Sequence, residues 1–308
     1  MHVVPTVSVI VVSFNTRELT LEAVGSALEQ TTRHQIEILV WDNASSDGSA
    51  EAIGERFGDR VRVVAGKDNL GFGAANNEAA KLSSAPWLLL LNPDTVVLDG
   101  AIDKLVDAAL AEPECGIFGG RTVFADGRLN AASAWAEPTP LSMVLRGLGV
   151  SAVLRKTAWA NPEVLPGWDR STRRYVDIVS GCFLLIRRDL WESLGGFDAR
   201  FKIYAEEFDL CIRARSMGAN PLIVPEATIV HLGGASDTVK EDQIVRQFRG
   251  RSLLFGKHWS PTSAWIGRAS LTLWALNKLI RARLLRRSPE AQTWSRIWKR
   301  RREWTHLA

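Results

Sequence analysis

The stretch WLLLLNPD, residues Trp87 to Asp94, decides the fold, because a fully apolar run stops abruptly at Asn-Pro-Asp. A run of this length without polar alternation is typical of a strand that is buried on both faces. Similar runs occur earlier in the chain, at Val7–Ser13, Ile36–Trp41 and Val61–Ala65. The sequence therefore predicts at least four buried strands.

Segments with helical spacing of their apolar residues alternate with these strands. They are Leu19–Gln30, Ala50–Phe57, Gly71–Leu82 and Ala101–Ala111. This alternation predicts βαβ units, that is, an α/β fold with a mainly parallel sheet flanked by helices. Such sheets bind ligands beyond the carboxyl ends of their strands. Polar residues at these ends, among them Asp42 and Asp94, are therefore candidate site residues.

The composition is that of an ordinary globular protein, with 308 residues of which 46% are hydrophobic and 23% charged. It excludes disordered, collagen-like and coiled-coil proteins. Cys115, Cys182 and Cys211 are odd in number and widely spaced, so neither a disulfide framework nor a CxxC metal site fits them. Residues 126–172 are rich in Pro, Trp, Gly and Arg and show no period, and we predict a long connection there.

The charge is unevenly distributed along the chain. The formal net charge is +4, but residues 259–308 contain 11 Lys and Arg against 2 acidic residues, and they hold 6 of the 12 tryptophans. Basic amphipathic helices with tryptophan suit the surface of an anionic membrane. A helical subdomain packed on the body, or a dimer contact, is the alternative. The acidic body carries no recognition motif for nucleic acid.

Two polar segments that lie between a predicted strand and the next predicted helix are candidates for binding a nucleotide. The first, DNASSDGS at Asp42–Ser49, offers short polar side chains for a base or ribose, or forms a loop with an N-cap. The second, NLGFGAANN at Asn69–Asn77, is a weak match to G-x-G-x-x-G because Asn76 takes the place of the third glycine. Its backbone N–H groups at a helix start suit a phosphate or a carboxylate.

Three further features could carry chemistry. The carboxylate of Asp94 after a strand suits a divalent cation together with substrate phosphates, although Asn-Pro alone also forms turns. The acids of the segment EEFD at Glu206–Asp209 offer a general base, or they sit in a first helical turn and pair with Arg213 or Arg215. His231 lies at a strand end before glycines and is either a ligand or a structural residue.

The order and spacing of these motifs resemble an inverting family 2 glycosyltransferase of the GT-A fold, and within it the bacterial rhamnosyltransferases of cell-wall and polysaccharide assembly. The resemblance runs from about Val7 to Lys257 and rests on VSVIVVSFN, WDNASSDGS, NLGFGAANN, LLLNPDT, SGCFLLIRR, GGFDARFKIYAEEFDLCIRARSMG and VHLGGAS. It implies a catalytic domain over residues 1–257, with a nucleotide-binding half at about 1–125 and an acceptor-side half at about 173–257. A helical, basic, Trp-rich extension at 258–308 would follow it.

The resemblance also implies roles for single residues in binding the donor. Asp42 would contact the nucleobase, with Asp47 near the nucleotide. The remaining donor-binding candidates, which line the pocket or lie in the glycine-rich segment, are Ser13, Asn15, Asn69, Gly71, Asn76 and Asn92.

The same resemblance implies which residues bind the metal and which acid is the catalytic base. Asn92-Pro93-Asp94 matches the Asp-x-Asp element that holds Mg²⁺ or Mn²⁺, with Asp94 as the main carboxylate and His231 completing the metal shell. The base matches the acidic pair before Phe208, where this chain has Glu206-Glu207 in place of the usual Glu-Asp. We favour Glu207, which takes the position of the Asp, and assign Asp209 to support or acceptor contact.

The implied substrates are a nucleotide-sugar donor, first of all dTDP-rhamnose, and a glycan or polyprenyl-diphosphate-linked glycan acceptor. Galactofuranose, glucose or N-acetyl sugars are alternative donors, and a membrane-associated sugar-nucleotide-binding protein without turnover is the alternative class. An oxidoreductase is disfavoured because Ser13–Thr16 lacks the glycines expected after a first strand. With no signal peptide or spanning segment in view, we predict a cytoplasmic protein held peripherally at the inner face of the cell membrane. The oligomeric state is left open.

Overall fold

The computed structural model describes residues 4–233 and 239–306, so Gly234 and the end of the motif VHLGGAS lie outside the described residues. The chain forms two compact units. The sheet unit comprises 4–135, 169–202 and 207–233, and the helical unit comprises 136–168, 203–206 and 239–306. The predicted domain limits at 125, 173 and 257 stay predictions.

The predicted strands and helices of the first half of the chain are present in the predicted order, and the short strand β5 (Thr95–Val97), which the sequence analysis did not predict, is added to them. They begin with β1 (Val7–Ser13), α1 (Arg17–Gln30), β2 (Ile36–Asp42), α2 (Ser49–Phe57), β3 (Val61–Ala65), α3 (Phe72–Lys81), β4 (Trp87–Leu91), β5 (Thr95–Val97), α4 (Ala101–Ala111), β6 (Ile117–Val123), β7 (Leu129–Asn130) and β8 (Ala134–Trp135). They continue with α5 (Pro140–Gly147), α6 (Val150–Val153), β9 (Arg174–Tyr175), β10 (Ile178–Val179), β11 (Phe183–Arg187), α7 (Arg188–Leu194), α8 (Glu206–Ser216), β12 (Leu222–His231), α9 (Lys240–His258), α10 (Pro261–Leu284), α11 (Ser288–Lys299) and α12 (Arg302–Thr305).

One large sheet organises the sheet unit. Its strand order is β3-β2-β1-β4-β11-β6-β12-β5, with β7 paired to β6 and β9 paired to β12. The pairs β3-β2, β2-β1, β1-β4 and β6-β12 are parallel, whereas β11 is antiparallel to both β4 and β6. Hence β1, β2, β4, β6 and β12 all point their carboxyl ends toward the same edge. This arrangement confirms the predicted α/β fold.

The strands are apolar because most of them are buried on both faces. All seven residues of β1 and all five of β4 are buried. The edge strand β3 is different, since only Val61 among its five residues is buried. The uninterrupted apolar run Trp87–Leu91 is therefore consistent with the central position of β4, which lies between β1 and β11.

The prediction of one long connection over 126–172 is wrong in part, because the segment contains β7, β8, α5 and α6. The first turn of α5 has a clear local signal: Thr139 and Ser142 form a reciprocal capping box with Pro140 at the helix start. These elements are short, so hydrophobic periodicity cannot reveal them.

The helical unit has its own core, built by α5, α9, α10, α11 and α12. Its larger buried side chains are Met143, Phe248, Phe255, Leu271, Trp294, Ile297 and Trp304. Trp259, Trp274 and Trp298 are partly buried against this core, so five of the six tryptophans that follow residue 258 contribute to it and Trp265 stays exposed. Among the described residues, every helix is too short or too polar to span a lipid bilayer.

A buried carboxylate joins three segments of the helical unit. Glu163 forms ion pairs with Arg251 at 2.8 Å and with Arg146 at 3.2 Å, and the Ser142 hydroxyl donates to it at 3.2 Å. Burial alone would raise the pKa of Glu163, but the two guanidinium groups and these hydrogen bonds hold that pKa below its ordinary value of 4.5.

We expect Glu163→Gln to lower the free energy of unfolding at neutral pH by about 3 kcal/mol, because it leaves two largely buried guanidinium groups, each less than one fifth exposed, without their counter-charge. A carboxyl group whose pKa is lower in the folded than in the unfolded protein stabilises the fold at pH values above its unfolded-state pKa. This stabilisation is lost as the pH falls through the pKa of the folded state. The stability difference between wild type and variant, measured by urea unfolding, should therefore shrink below about pH 4.5. A difference that is independent of pH would contradict the ionised state of Glu163.

Candidate active site

The shared edge of the sheet brings four predicted site residues to strand ends. Ser13 ends β1, Asp42 ends β2, Asp94 lies three residues after β4, and His231 ends β12. All four side chains are buried. Polar groups are rarely collected at one buried edge without hydrogen-bond partners or a ligand, so the partners of each group show what it does.

The loop after β2 leaves one carboxylate oxygen without a partner. Asp42 is only 3% exposed, and its Oδ2 accepts a hydrogen bond from the Ser45 backbone N–H at 3.0 Å. Its Oδ1 is also buried and has no hydrogen-bond partner among the described residues. A buried acceptor in this state is unfavourable unless a ligand donates to it. Asp42 Oδ1 is therefore a buried acceptor that the donor group of a ligand could satisfy.

Asn15 and Asp47 connect the loops after β1 and β2. Asn15 has a φ of +52°, its N–H donates to the Ser45 hydroxyl, and its Oδ1 accepts from the Ser46 N–H at 2.8 Å. Asp47 Oδ2 accepts from the N–H of Arg17, the first residue of α1, at 3.0 Å. Both side chains thus shape the loop around Asp42. The Ser13 hydroxyl is fully buried and pairs with threonine hydroxyls of its own loop and of α1.

The glycine-rich segment before α3 is held by amide side chains. Asn69 Oδ1 accepts from the side chain of Asn43 at 2.8 Å and from the Gly71 N–H at 2.9 Å. Gly71 has a φ of +82°, and a Cβ there would lie 2.5 Å from the Lys202 carbonyl oxygen, so only glycine fits. Asn76 is buried and donates to the Phe72 carbonyl within α3.

Asn77, which the sequence analysis did not assign, makes a contact across 120 positions of the chain. Its Nδ2 donates to the Phe197 carbonyl at 2.8 Å, and its Oδ1 accepts from the Phe197 N–H at 2.9 Å. This pair attaches α3 to the turn after α7. Its signal in the sequence is only an Asn beside another Asn, which does not reveal a distant partner.

Asp94 and His231 form a close acid–imidazole pair at this edge. Asp94 Oδ1 lies 3.4 Å from His231 Nε2, and the Leu232 N–H donates to the Asp94 carbonyl at 3.1 Å. Burial alone would lower the pKa of the His231 imidazole, but the Cys182 thiol and the Asp94 carboxylate raise it to about 10. Asn92 contributes backbone contacts, since its N–H donates to the Cys182 carbonyl and its carbonyl accepts from Thr95.

The pair fits a divalent cation whose coordination is completed by substrate. Asp94 Oδ1 and His231 Nε2 lie within reach of one ion, which would take the place of the proton that the raised pKa of His231 otherwise keeps on the imidazole. No third Asp, Glu, His or Cys ligand atom in the described part of the chain joins them. Hard cations that bind nucleotides commonly take one or two protein ligands and fill the remaining positions with phosphate oxygens and water.

The three acids of α8 differ in accessibility. Glu206 and Asp209 are buried, while Glu207 is half-buried. A Cβ on Gly181, just before β11, would lie 3.8 Å from the Cβ of Glu207 and 3.4 Å from the Phe72 ring. Glu207 is therefore the acid of this segment that lies beside a glycine and keeps access to solvent.

Asp209 has a structural partner. Its Oδ2 pairs with Arg213 Nε at 2.8 Å, and the other guanidinium nitrogens of Arg213 donate to the carbonyls of Leu194 and Gly196, each at 2.8 Å. The sequence expectation that Arg213 pairs with an acid of this helix is confirmed. Arg215 also forms an ion pair with Asp177 at 2.9 Å.

The backbone ahead of these acids has an uncommon conformation that sequence reasoning missed. Tyr204 and Ala205 have φ angles of +70° and +71°, in the left-handed region that side chains with a Cβ disfavour. Gly250 of α9 lies against them, and a Cβ at Gly250 would lie 2.4 Å from the Tyr204 carbonyl oxygen. Glu206 follows this strained pair directly.

Comparison with known sequences gives a family and named relatives. The sequence model described as "Glycosyl transferase family 2" matches residues 8–194. The N-acetylglucosaminyl-diphospho-decaprenol L-rhamnosyltransferase of Mycobacterium tuberculosis strain H37Rv is 32% identical over 230 residues, which cover 68% of this chain and 71% of the relative. The O-antigen biosynthesis protein RfbC of Myxococcus xanthus is 31% identical over 238 residues, which cover 75% of this chain and 18% of that protein.

Two solved structures resemble the fold. The mannosyltransferase PcManGT from Pyrobaculum calidifontis, in complex with GDP-Man and Mn²⁺, has a TM-score of 0.59 at 20% identity and covers 99% of this chain and 84% of its own. GalNAc-T7 with UDP, GalNAc and Mn²⁺ has a TM-score of 0.62 at 17% identity and covers 89% of this chain and 52% of its own. At these identities the likeness concerns the fold alone.

Proposed function

Because the chain belongs to glycosyl transferase family 2 and has the GT-A fold expected of it, we propose that this glycosyltransferase moves L-rhamnose from dTDP-rhamnose, with inversion, to a glycan on a polyprenyl diphosphate. The observation that carries the proposal is the buried pair of Asp94 and His231 at the same sheet edge as the unpartnered oxygen of Asp42. The rhamnosyl donor and the lipid-linked acceptor are suggested by the name of the mycobacterial relative.

Asp42 would recognise the base of the donor. Thymine carries one N–H donor at N3, between two carbonyl oxygens, and Asp42 Oδ1 is a buried acceptor to which no group of the described chain donates. A hydrogen bond to a charged acceptor contributes about 1.5–3 kcal/mol, which favours bases that present such an N–H. Uracil has the same group, so the thymine methyl must be read elsewhere.

Asp94 and His231 would hold Mg²⁺ or Mn²⁺ against the diphosphate, and the cation would offset the charge that develops on the leaving nucleoside diphosphate. Asn92 stands where the family pattern has an acid. The uncharged Asn92 leaves Asp94 as the main carboxylate of this element.

Glu207 would act as the general base. Its carboxylate accepts the proton of an acceptor hydroxyl as the hydroxyl oxygen forms a bond to the anomeric carbon. The bond from that carbon to the diphosphate oxygen breaks on the opposite face, which inverts the configuration. Positioned bases of this kind contribute about 10²–10⁴-fold in rate. A lipid-linked acceptor would bring the enzyme to the inner face of the cell membrane.

The proposed donor is tested by a thermal-shift panel of dTDP, UDP, GDP and their sugar derivatives, each with Mn²⁺ and with EDTA. A ligand at 100 times its Kd stabilises the folded state by about 2.7 kcal/mol. We expect a Mn²⁺-dependent rise in Tm that is largest for dTDP-rhamnose. A larger rise with another sugar nucleotide would replace rhamnose by that sugar, and no rise with any nucleotide in folded protein would favour a binding protein of another kind.

A further inference from the structure

Exposed apolar side chains lie on two segments of the helical unit. The first runs from Leu148 through α6 to Trp159, where Val153 is 76% and Trp159 is 62% exposed. The second is the end of α10, where Leu284 is 77% exposed. Single apolar side chains at a surface are normal, whereas a concentration of them marks an interaction site.

The start of the first segment lies beside the second half of α10, which leads into the second segment. Gly147, which ends α5, packs so closely on α10 that a Cβ on it would lie 2.8 Å from the Ser270 carbonyl oxygen. About two helical turns further along α10, the Asn277 amide donates to the Gly147 carbonyl. A groove of about 440 Å³ separates the segments, and its lining includes Leu148 and Val153 on one side and Lys278 and Arg281 on the other. We call residues 148–159 and 278–287 together the docking face.

The docking face is strongly basic. It contains seven basic residues and no acidic one: Arg155, Lys156, Lys278, Arg281, Arg283, Arg286 and Arg287. Of the acids near it, Glu163 is buried between two arginines and Glu290 pairs with Arg287 at 3.5 Å. In the part of the chain that the structure describes, neither Arg155 nor Lys278 takes part in an ion pair.

The C-terminal tryptophans and arginines, in contrast, are largely engaged within the helical unit. Trp294 and Trp304 are in its core. Arg296 pairs with Glu241, and Arg300 pairs with Asp242 and Glu303. The tryptophans Trp294 and Trp304 and the arginines Arg296 and Arg300 are thus engaged within the unit, whereas Lys299 and Arg302 are exposed and serve below as the comparison charges.

We propose that the docking face binds the surface of an anionic lipid bilayer. Exposed aliphatic and tryptophan side chains enter the headgroup region while the surrounding basic residues contact lipid phosphates. A nucleic acid would use the same basic groups but would leave Leu148, Val153 and Leu284 in water. This inference rests on the proposed function in one respect: a lipid-linked acceptor would require the enzyme to act at a membrane surface.

The test is sedimentation of the full-length protein with vesicles of phosphatidylcholine, alone or mixed with phosphatidylglycerol. We expect binding to the anionic vesicles only, weakened by salt. A quadruple variant should bind the anionic vesicles at least about tenfold more weakly, since each basic residue near such a surface contributes to the attraction. It carries the substitutions Arg155→Gln, Lys156→Gln, Lys278→Gln and Arg281→Gln. Its matched control, with equal loss of charge, replaces Arg296, Lys299, Arg301 and Arg302 by Gln and should bind within about threefold of wild type.

The apolar contribution is tested by Val153→Ser with Trp159→Ser, whose side chains are exposed enough that folding should persist. We expect this variant to bind the anionic vesicles more weakly than the wild type at both low and high salt, because the lost contribution is apolar. Equal losses in both charge variants, no preference for anionic vesicles, or tighter binding of an oligonucleotide at the same salt would each overturn the proposal. Transfer to an acceptor with a short, water-soluble lipid should stay unchanged in all these variants, so failure of the donor chemistry and failure of the docking face are separate results.

Discussion

Glu207→Gln is expected to lower kcat by about 10²–10⁴-fold while the affinity for the nucleotide donor stays close to that of the wild type. The amide has nearly the same shape as the carboxylate but cannot accept the proton of the acceptor hydroxyl. Glu207 is also the half-buried acid of α8, whereas Glu206 and Asp209 are buried. Turnover is followed with labelled donor, and donor affinity is measured separately by calorimetry.

Three variants serve as controls for this assignment. Glu207→Asp keeps a carboxylate at the position where the family pattern has Asp, and it should retain more turnover than the amide. Asp209→Asn should act mainly on stability, because it breaks the buried pair with Arg213. If Glu207→Gln turns over normally while Glu206→Gln does not, Glu206 is the base.

Asp94→Ala is expected to abolish the Mn²⁺-dependent part of donor binding, with a loss of at least about 100-fold in apparent metal affinity. Even partners of metal ligands contribute 10–100-fold, so a main carboxylate should contribute no less. The variant also removes the counter-charge of His231, which lies 3.4 Å away. The measurement is a Mn²⁺ titration of the donor-induced shift in Tm.

Asn92→Asp is the matched control, because it adds a carboxylate to the same loop and should bind Mn²⁺ at least as tightly as the wild type. The melting temperature of each variant without ligand separates loss of binding from loss of fold. A donor-induced shift in Asp94→Ala with unchanged dependence on Mn²⁺ would exclude Asp94 as a metal ligand.

The fold and the strand-end residues of the site were predictable because both depend on local patterns. An apolar run that stops at a carboxylate, such as Trp87–Asp94, predicts a buried strand and a polar group at the edge of the sheet at once. Parallel strands then bring Asp42 and Asp94 to the same edge, although they are separated by 52 positions in the chain. The pairing of Asp94 with His231 follows the same logic once β12 is placed.

Other features depend on distant partners that no local pattern reveals. Asn77 binds the backbone of Phe197, and its neighbour Asn76 binds only within its own helix, yet the two are the same residue type. The tryptophans of the C-terminal helices show helical spacing whether they face lipid or a core. Periodicity shows that one face of a helix is apolar, but it does not identify what packs against that face. Here Trp294 and Trp304 pack in the core of the helical unit itself.

The left-handed backbone at Tyr204 and Ala205 directly precedes the acids of α8, so a change that relieves it is expected to act on stability and on the site together. Left-handed residues with a Cβ are unfavourable by roughly 1–2 kcal/mol each, so glycine at Ala205 would relieve the backbone and favour survival at high temperature. The same change would loosen the chain one residue before Glu206 and two before the proposed base. For Ala205→Gly we therefore expect a small rise in Tm together with a lower kcat, a stability gain obtained at the cost of activity.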